Sequence, residues 1–503
     1  MKRYISLITA LLTVGIAGCK KDYLSLENNP NQPSVTVPSL ALPSAEKTAA
    51  AVYATDYPEY GVWAGYWTTS GNYVPNPAIN EYQLTTGSYT GVWTDLYANL
   101  ANWNNLQQIS SDPSNANYRA IAMIMKVYDF QQLVDNFNDV PYSQAFNIKN
   151  LTPAYDKGSD IYEDLGKQLD AAITLIGPNG GASAASPAAY DIVFGAYGDN
   201  EMVAWAAFAN TLKLRLALRV YLKSASDPLV TALAATTSTG YLGGGTGAMA
   251  NPGYVQTNST AGFSQESPFY GSFGFDINGN PTGNNNYYRA NAYGVAFYKN
   301  TNDPRLTAFY APTTATKQVQ GNVFGDILHN AQNPGTSAIG PGLLQSATQD
   351  AVLMTASEAD FLLAEAIQRG ILTPAQAGFA SAEAAYNAGI EDSFTSLGLT
   401  VAQAQAYYGQ SIDNVNFAVS GNKITAILTQ KWAALNGWSN FEAYNDYRRT
   451  GIPNLPTSVD PAAIGTNLPT RLLYPTSELS TNAGAVAKEG AINPLSSKIF
   501  WAK

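Results

Sequence analysis

The sequence predicts a mainly α-helical protein in which helix pairs of the tetratricopeptide type alternate with long loops. Apolar residues recur at helical spacing between residues 117 and 223 and again between residues 357 and 447. Residues 357–389 form a two-helix unit close to the period of about 34 residues that tetratricopeptide helix pairs have. By contrast, residues 235–300 lose helical periodicity altogether, which is typical of functional or mobile loops.

The N-terminal residues have the layout of an export signal. Two basic residues precede an apolar run over residues 4–16, and two small residues lead to Cys19, the only cysteine of the chain. This layout resembles the bacterial lipoprotein box, in which the signal is cut before the cysteine and the cysteine is acylated. We therefore expect a signal over residues 1–18, an acylated tether over residues 19–38 and one folded domain over residues 39–503.

An ordinary signal peptide and a short membrane anchor are the alternatives for this segment. The apolar run of about 13 residues is shorter than the roughly 20 residues that span a bilayer. A lone cysteine also has no disulfide partner within the chain.

Charged residues are scarce, at 13% of the chain against about 25% in an average protein. The polar surface must therefore consist largely of amides, hydroxyls and tyrosines, and the chain has 32 tyrosines and 8 tryptophans. Such a surface suits a neutral, hydroxyl-rich ligand. The net charge of −10 argues against nucleic acid and against an anionic membrane surface as partners, because both select basic patches.

Three helices are predicted in the first half of the chain. The first starts near Asn117 and ends before Asp139, the second covers residues 160–176 and stops at Gly177-Pro178, and the third surrounds residues 205–216. The cationic residues of the third helix mostly avoid its apolar face. We assign all three apolar stripes to the core rather than to a cofactor site.

Helices return at residue 357. Two segments fit the capping-box pattern of a helix start: Ser357–Asp360 and Thr373–Gln376. Gly370 and Gly389 suit helix C-terminal ends. A further helix pair is predicted over residues 422–435 and 440–447.

Sequence blocks along the chain carry a family resemblance. The first half contains Asn29–Pro33, Asp139–Ala145, Thr152–Asp156 and Trp205 followed by Ala209–Ala217. The second half contains Asp303–Arg305, Phe361–Gly370, Lys431–Leu435, Glu442–Pro453 and Arg471–Pro475. In this order they resemble the SusD/RagB family of Bacteroidetes outer-membrane lipoproteins, and in particular its SusD-like type 2 branch.

The resemblance implies a fold and a function. The fold is an α-α superhelix of four tetratricopeptide-like helix pairs packed against a large, irregular, loop-rich part that carries the ligand surface. The function is that of a lipid-anchored, surface-exposed outer-membrane protein that binds oligosaccharides and passes them to a SusC-like TonB-dependent transporter. We expect neither enzymatic activity nor a cofactor. The segment Lys20–Asp22 is similar to the signal that directs such lipoproteins to the outer face.

Two other functions remain as alternatives. The protein could bind peptides or another nutrient for the same kind of transporter. A glycoside hydrolase is the enzymatic alternative, because that reaction needs only two carboxylates roughly 5 to 10 Å apart.

Loop aromatic residues are the candidates for stacking against sugar rings, and neighbouring polar side chains for bonding sugar hydroxyls. The expected aromatic platforms are Trp63, Trp67, Tyr73, Phe275, Tyr287, Tyr288 and Tyr293. Their expected polar partners are Asn72, Asn284 and Arg289. For each ring, burial in the core or contact with the transporter is the alternative.

No metal site is expected. Residues 276–280 resemble the start of a calcium loop, but Pro281 and Tyr287 stand where the motif needs Gly and Glu. His329 is the only histidine, which argues against a histidine-cluster zinc site and a serine–histidine hydrolase. Three charged residues of the best-matched blocks are assigned to structural ion pairs or caps: Glu365, Arg448 and Arg449.

Overall fold

A computed structural model of the chain describes residues 36–55, 57–177, 182–233, 240–256 and 265–503. The expected signal, Cys19, Lys20–Asp22 and almost all of the tether lie outside these residues. Within them, the helices of 11 residues or more are α1 Pro38–Thr55, α2 Thr90–Ile109, α3 Ala116–Phe137, α4 Gly158–Ile176, α5 Glu201–Tyr221, α6 Ala356–Gln368, α7 Ala382–Ser396, α8 Lys423–Leu435 and α9 Asn440–Thr450.

Shorter elements connect these helices. The short helices are Pro58–Trp63, Pro77–Asn80, Pro228–Leu233, Pro268–Phe273, Gly283–Tyr287, Ala292–Asn300, Leu306–Phe309, Pro374–Ala377, Val401–Tyr408, Thr476–Thr481 and Ala483–Val486. The strands form two antiparallel pairs: β1 Trp67–Thr69 with β3 Tyr288–Ala290, and β2 Ala248–Ala250 with β4 Ala351–Met354.

The long helices form the body of the molecule. Consecutive helices α1 to α5 pack against one another, α5 packs on α6, and α6 contacts both α7 and α8. The predicted fold class, mainly helical with tetratricopeptide-like pairs, is confirmed. None of the helices in the described ranges combines the length and the apolar character needed to cross a bilayer.

Helix α5 differs from the sequence expectation. Almost all of its residues are buried, and Lys213, Arg215 and Arg219 are at most 3% exposed. The expectation that its cations avoid the apolar face was wrong, because acids on α6 and α9 pair with Arg215 and Arg219 inside the core.

The helix pair α6–α7 also starts and ends elsewhere than predicted. Thr355, not Ser357, caps α6, since its side chain accepts the amide of Glu358. Helix α7 runs through Gly389 rather than ending there. A Cβ at Gly389 would lie 3.0 Å from the ring of Phe361 on α6. The glycine therefore permits close helix packing. The predicted capping box at Thr373 is confirmed, but it starts the one-turn helix Pro374–Ala377.

Residues 265–300 contain more regular structure than their sequence suggested. Three short helices and β3 lie in this range. The side chains of Thr282 and Asn291 cap the second and third helices. The expectation of no helix between residues 235 and 300 was wrong, because these helices begin at local caps and are too short for an apolar period to show.

Candidate ligand-binding surface

The β1/β3 ribbon joins the two loop segments from which ligand-binding residues were expected. Trp67 lies opposite Ala290 and Thr69 opposite Tyr288. Beyond the ribbon, the amide of Ser70 donates to the carbonyl of Tyr287 at 2.9 Å. The loop over residues 70–76 therefore meets the end of the helix Gly283–Tyr287, although more than two hundred residues separate them in sequence.

Two tyrosines lie side by side at this junction. Tyr73 is 41% exposed and Tyr287 is half-buried, and their ring centroids are 5.5 Å apart at an interplanar angle of 62°. The hydroxyl of Tyr287 accepts the amide of Asn76 at 3.2 Å, which links this ring to the 70–76 loop. Tyr287 is thus held in place while much of Tyr73 stays in solvent.

Amide side chains surround the two rings. The Oδ1 atom of Asn72 accepts the amide of Asn333 at 2.7 Å, and the Nδ2 atom of Asn333 donates to Asn286 at 3.2 Å. The hydroxyl of Ser70 donates to the Oδ1 atom of Asn333 at 2.5 Å. Three separate segments therefore share one polar network.

Asn333 was missed at the level of sequence. A local signal exists in Gly71, where a Cβ would lie 2.1 Å from the carbonyl oxygen of Asn330. A glycine is needed there so that the two loops can approach, but the sequence does not reveal what approaches it.

Arg289 supplies the cation of this region. It is 6% exposed, its Nε atom donates to the carbonyl of Asn286 at 3.3 Å, and no carboxylate of the described residues lies within ion-pair distance. Burial lowers the pKa of Arg289 to about 10, so the guanidinium stays charged at neutral pH. We call Asn72, Tyr73, Tyr287, Arg289 and Asn333 the tyrosine surface.

A comparison with protein families gave a match over nearly the whole chain. The SusD-like family 2, described as starch-binding and associating with the outer membrane, matches residues 30–475. The chain belongs to this SusD-like family. No curated protein matches it.

Solved structures of SusD-like proteins share this fold. A chitin-binding SusD homolog from Flavobacterium johnsoniae is 23% identical, with a TM-score of 0.70 over 91% of this chain and 98% of its own. A SusD homolog from Bacteroides fragilis is 21% identical, with a TM-score of 0.73 over 93% and 99%. A SusD-like protein from Bacteroides thetaiotaomicron is 21% identical, with a TM-score of 0.70 over 91% and 98%.

Three of the expected platforms are part of the core in this SusD-like protein. Trp63 and Trp67 are 1% and 0% exposed, and Tyr288 is also buried. The Nε1 atom of Trp63 donates to the carbonyl of Ile79, and Trp67 packs against Phe273 and Tyr288. The expectation that these rings stack on a ligand is corrected, since their faces are covered by protein. Trp67 and Tyr288 are residues of the ribbon strands, and their rings pack into the core.

The other expected residues lie around the ribbon without joining the amide network. Tyr293 packs edge-on against Trp432, with centroids 5.6 Å apart. Phe275 is half-buried and pairs with Pro281 across a turn. Asn284 is exposed in the short helix that ends at Tyr287.

The segment that resembles a calcium loop forms a closed turn. The carboxylate of Asp276 accepts the amides of Asn278 and Asn280, each at 2.8 Å. In the described part of the chain, no group of three or more His, Cys, Asp or Glu side chains is arranged to hold a metal ion. The hydrogen bonds within the turn therefore use the Asp276 carboxylate to hold the loop closed.

Charged residues of the family-matched blocks, together with Arg219 and Glu358, form a buried network that we call the ionic core. Its members are Arg215, Arg219, Glu358, Glu365, Lys431, Glu442, Asp446 and Arg449. Arg449 contacts Glu365 at 2.7 Å and Asp446 at 2.8 Å. Burial alone would raise the pKa of Asp446, but Lys431 and Arg449 outweigh it and hold that pKa below its usual value.

Arg448 has a related role beside the ionic core. Its guanidinium donates to the carbonyls of Asp135 and Thr470 at 2.6 and 2.9 Å. It therefore ties α3 and the C-terminal segment to α9. This geometry agrees with the structural role expected for Glu365, Arg448 and Arg449.

Proposed function

We propose that this protein is a non-catalytic, lipid-anchored subunit of an outer-membrane uptake system, and that it binds oligosaccharides on the tyrosine surface. In this proposal it passes them to a SusC-like TonB-dependent transporter. Membership of a family described as starch-binding, together with two adjacent tyrosines set among amides, supports the proposal.

The chemistry of the tyrosine surface suits neutral sugars. The apolar faces of sugar rings stack on aromatic rings, and sugar hydroxyls bond to amides. Burial against one such ring contributes about 2 to 3 kcal/mol. Two rings and a few hydrogen bonds correspond to dissociation constants on the order of millimolar to tens of micromolar.

Such weak binding suits transfer to a second protein. Acylation at Cys19 would hold the protein at the membrane that contains the transporter, with residues 19–38 as the tether. Confinement raises the effective concentration of the binding protein near its partner and compensates for its low affinity. Two or more acyl chains suffice for stable anchoring.

The test is binding to starch and chitin oligosaccharides by isothermal titration calorimetry, supported by retardation in polysaccharide gels. The double variant Tyr73→Ala/Tyr287→Ala should lose detectable binding while it remains folded. Tyr190→Ala is the matched control, because Tyr190 is 44% exposed and is not part of the tyrosine surface. Unchanged affinity of the folded double variant would refute the assignment of this surface.

Catalysis and partnership have separate tests. Oligosaccharides recovered intact after long incubation would support a binding protein, whereas cleavage products would overturn the non-catalytic proposal. Purification of the full chain from its native membrane should bring down a large TonB-dependent barrel. Peptides eluting from that complex, with no glycan bound, would overturn the oligosaccharide proposal in favour of peptide uptake.

A further inference from the structure

A second groove lies away from the tyrosine surface. One cavity of about 710 Å³ adjoins another of about 300 Å³, and both are lined by Met249, Asp350, Thr355 and Ser396. None of the tyrosine-surface residues lines either cavity. Cavities of roughly 300 to 1,000 Å³ are the usual size for small-molecule sites.

An aromatic side chain lines each of the two cavities. Tyr197 lines the larger cavity and is 44% exposed, whereas the half-buried Trp438 lines the smaller one. The Nε1 atom of Trp438 is buried and has no acceptor among the described residues. Met249, which is partly exposed, lies in the shared wall. The groove thus offers two aromatic rings.

The groove carries only negative charge. Three aspartates line it, and no Lys, Arg or His is found among its described lining residues. The internal segments outside the described ranges contain no Lys, Arg or His either. None of Asp191, Asp350 and Asp392 forms an ion pair within the described part of the chain.

The three carboxylates differ in burial and in the hydrogen bonds that they accept from the protein. Asp191 is buried and accepts the Nε1 atom of Trp205 at 2.7 Å. Asp350 is exposed and accepts the side chain of Asn251 at 2.7 Å through one oxygen. Asp392 is partly exposed and accepts the amide of Gly245 at 2.8 Å. Asp350 therefore keeps acceptor capacity, whereas Asp392 also shares a side-chain hydrogen bond with the carboxyl of Asp360.

Two neighbouring features affect the local charge. Asp360 lies behind Asp392, where burial and the Asp392 carboxyl hold the pKa of Asp360 well above its usual value. Helix α6 begins at the groove and adds a partial positive charge of about half an elementary unit. That partial charge is smaller than the summed negative charge of the three carboxylates. The amide of Glu358, at the start of the helix, already donates to the hydroxyl of Thr355.

We propose that this groove, the aspartate groove, binds oligosaccharides that carry free amino groups, such as glucosamine oligomers. Sugar rings would stack on Tyr197 and Trp438, while the ammonium groups contact Asp350 and Asp392. The uncompensated carboxylates reject acidic glycans, which sets the ligand class apart from that of the tyrosine surface. The site does not depend on the proposed function of the tyrosine surface.

The test is calorimetric titration of the full chain with a glucosamine hexamer at about pH 6, below the amino-group range of about 8. Asp350→Asn/Asp392→Asn should weaken binding about tenfold and remove most of its salt dependence, as expected for two partly exposed charge pairs. Tyr197→Ala should also weaken it. Tyr190→Ala is the control, since Tyr190 has the same 44% exposure and does not line the groove.

Further titrations and variants distinguish this proposal from other ligands and from binding at the tyrosine surface. Asp350→Asn alone affects an exposed residue and tests the site if the double variant does not fold. The acetylated hexamer should bind this groove at least several-fold more weakly. Equal binding of a tri-lysine peptide would overturn the saccharide class. Unchanged binding in both aspartate variants, or loss of binding only in Tyr73→Ala/Tyr287→Ala, would overturn the aspartate groove and leave the tyrosine surface untouched.

Discussion

The ionic core and the tyrosine surface use charge in opposite ways. In the ionic core, Arg215, Arg219 and Arg449 are at most 1% exposed and each contacts carboxylates. The tyrosine surface has rings and amides, with Arg289 as its single cation and no carboxylate within ion-pair distance of it in the described residues. One region has strong, fully paired charges, whereas the other is almost neutral.

This difference follows from a small number of charges. Only 13% of the residues are charged, and several of the arginines are buried in the helical body. The exposed loops are therefore left with amides, hydroxyls and tyrosines, which suit uncharged ligands. The family-matched blocks contain Arg215, Glu365 and Arg449, while the tyrosine surface lies between blocks. The family resemblance thus predicts the helical scaffold, whereas the choice of ligand depends on the loops between the matched blocks.

The largest expected effect comes from breaking the ionic core. Arg449→Met should lower the free energy of unfolding by about 3 to 5 kcal/mol, because it leaves Glu365 and Asp446 buried without this partner. Denaturant titration measures the loss. Lys167→Met is the control: its pair with Glu163 is exposed to solvent and should contribute little to stability. Similar losses in both variants would contradict the contrast between buried and exposed charge.

A buried acid outside the ionic core should respond to pH. Glu59 is buried and forms no ion pair among the described residues, and burial raises its pKa to about 7. The unfolded chain loses this proton near pH 4.3, so the free energy of unfolding should fall between about pH 4.5 and 7, by at most about 1.4 kcal/mol per pH unit. The stability is present at low pH and is lost as pH rises.

Glu59→Gln tests this pH dependence. The amide cannot ionise, so the variant should show a flatter stability profile over that range and should be more stable than the wild type at pH 8. Denaturant midpoints measured at several pH values compare the two proteins. Parallel profiles would show that Glu59 does not titrate in this way.

A smaller effect is expected where the loops of the tyrosine surface meet. Gly71→Ala would place a Cβ 2.1 Å from the carbonyl oxygen of Asn330, so the two loops must separate. We expect about 1 to 3 kcal/mol of destabilisation and a several-fold loss of oligosaccharide affinity. Gly283→Ala is the matched control, because a Cβ there meets nothing within 4 Å. Equal affinities for the two variants would mean that ligand binding does not need the loop contact.

The sequence was most informative where a structural feature has a local cause. The stop of α4 at Gly177, the capping box at Thr373 and the start of α8 after Asn422 each depend on a few neighbouring residues. Four of the family-matched blocks, Trp205 with Ala209–Ala217, Phe361–Gly370, Lys431–Leu435 and Glu442–Pro453, fall largely on the long helices, which is why the resemblance predicted the fold class. Gly389 was misassigned because its role depends on Phe361 from another helix.

The candidate site was less predictable because it depends on strand register and on distant loops. Tyr287 and Tyr288 are neighbours in sequence, yet Tyr288 is buried against Trp67 while Tyr287 lies beside Tyr73. Tyr287 ends the short helix and Tyr288 begins β3, so the pairing of β3 with β1 fixes the buried position of Tyr288 but not that of Tyr287. Asn333 joins the site through hydrogen bonds with Ser70 and Asn72. No local sequence pattern predicts these contacts between distant residues.

The smallest expected effect separates the ring of Tyr287 from its hydroxyl. The hydroxyl accepts the amide of Asn76 at 3.2 Å and thereby helps to hold the 70–76 loop, whereas the ring packs against Tyr73. Tyr287→Phe should cost about 0.5 to 1.5 kcal/mol in stability and only a few-fold in oligosaccharide affinity, because the stacking face remains. Tyr287→Ala should lose most of the affinity. If calorimetry finds the two variants equally impaired, the hydrogen bond to the loop, and not the ring, holds the surface in its binding shape.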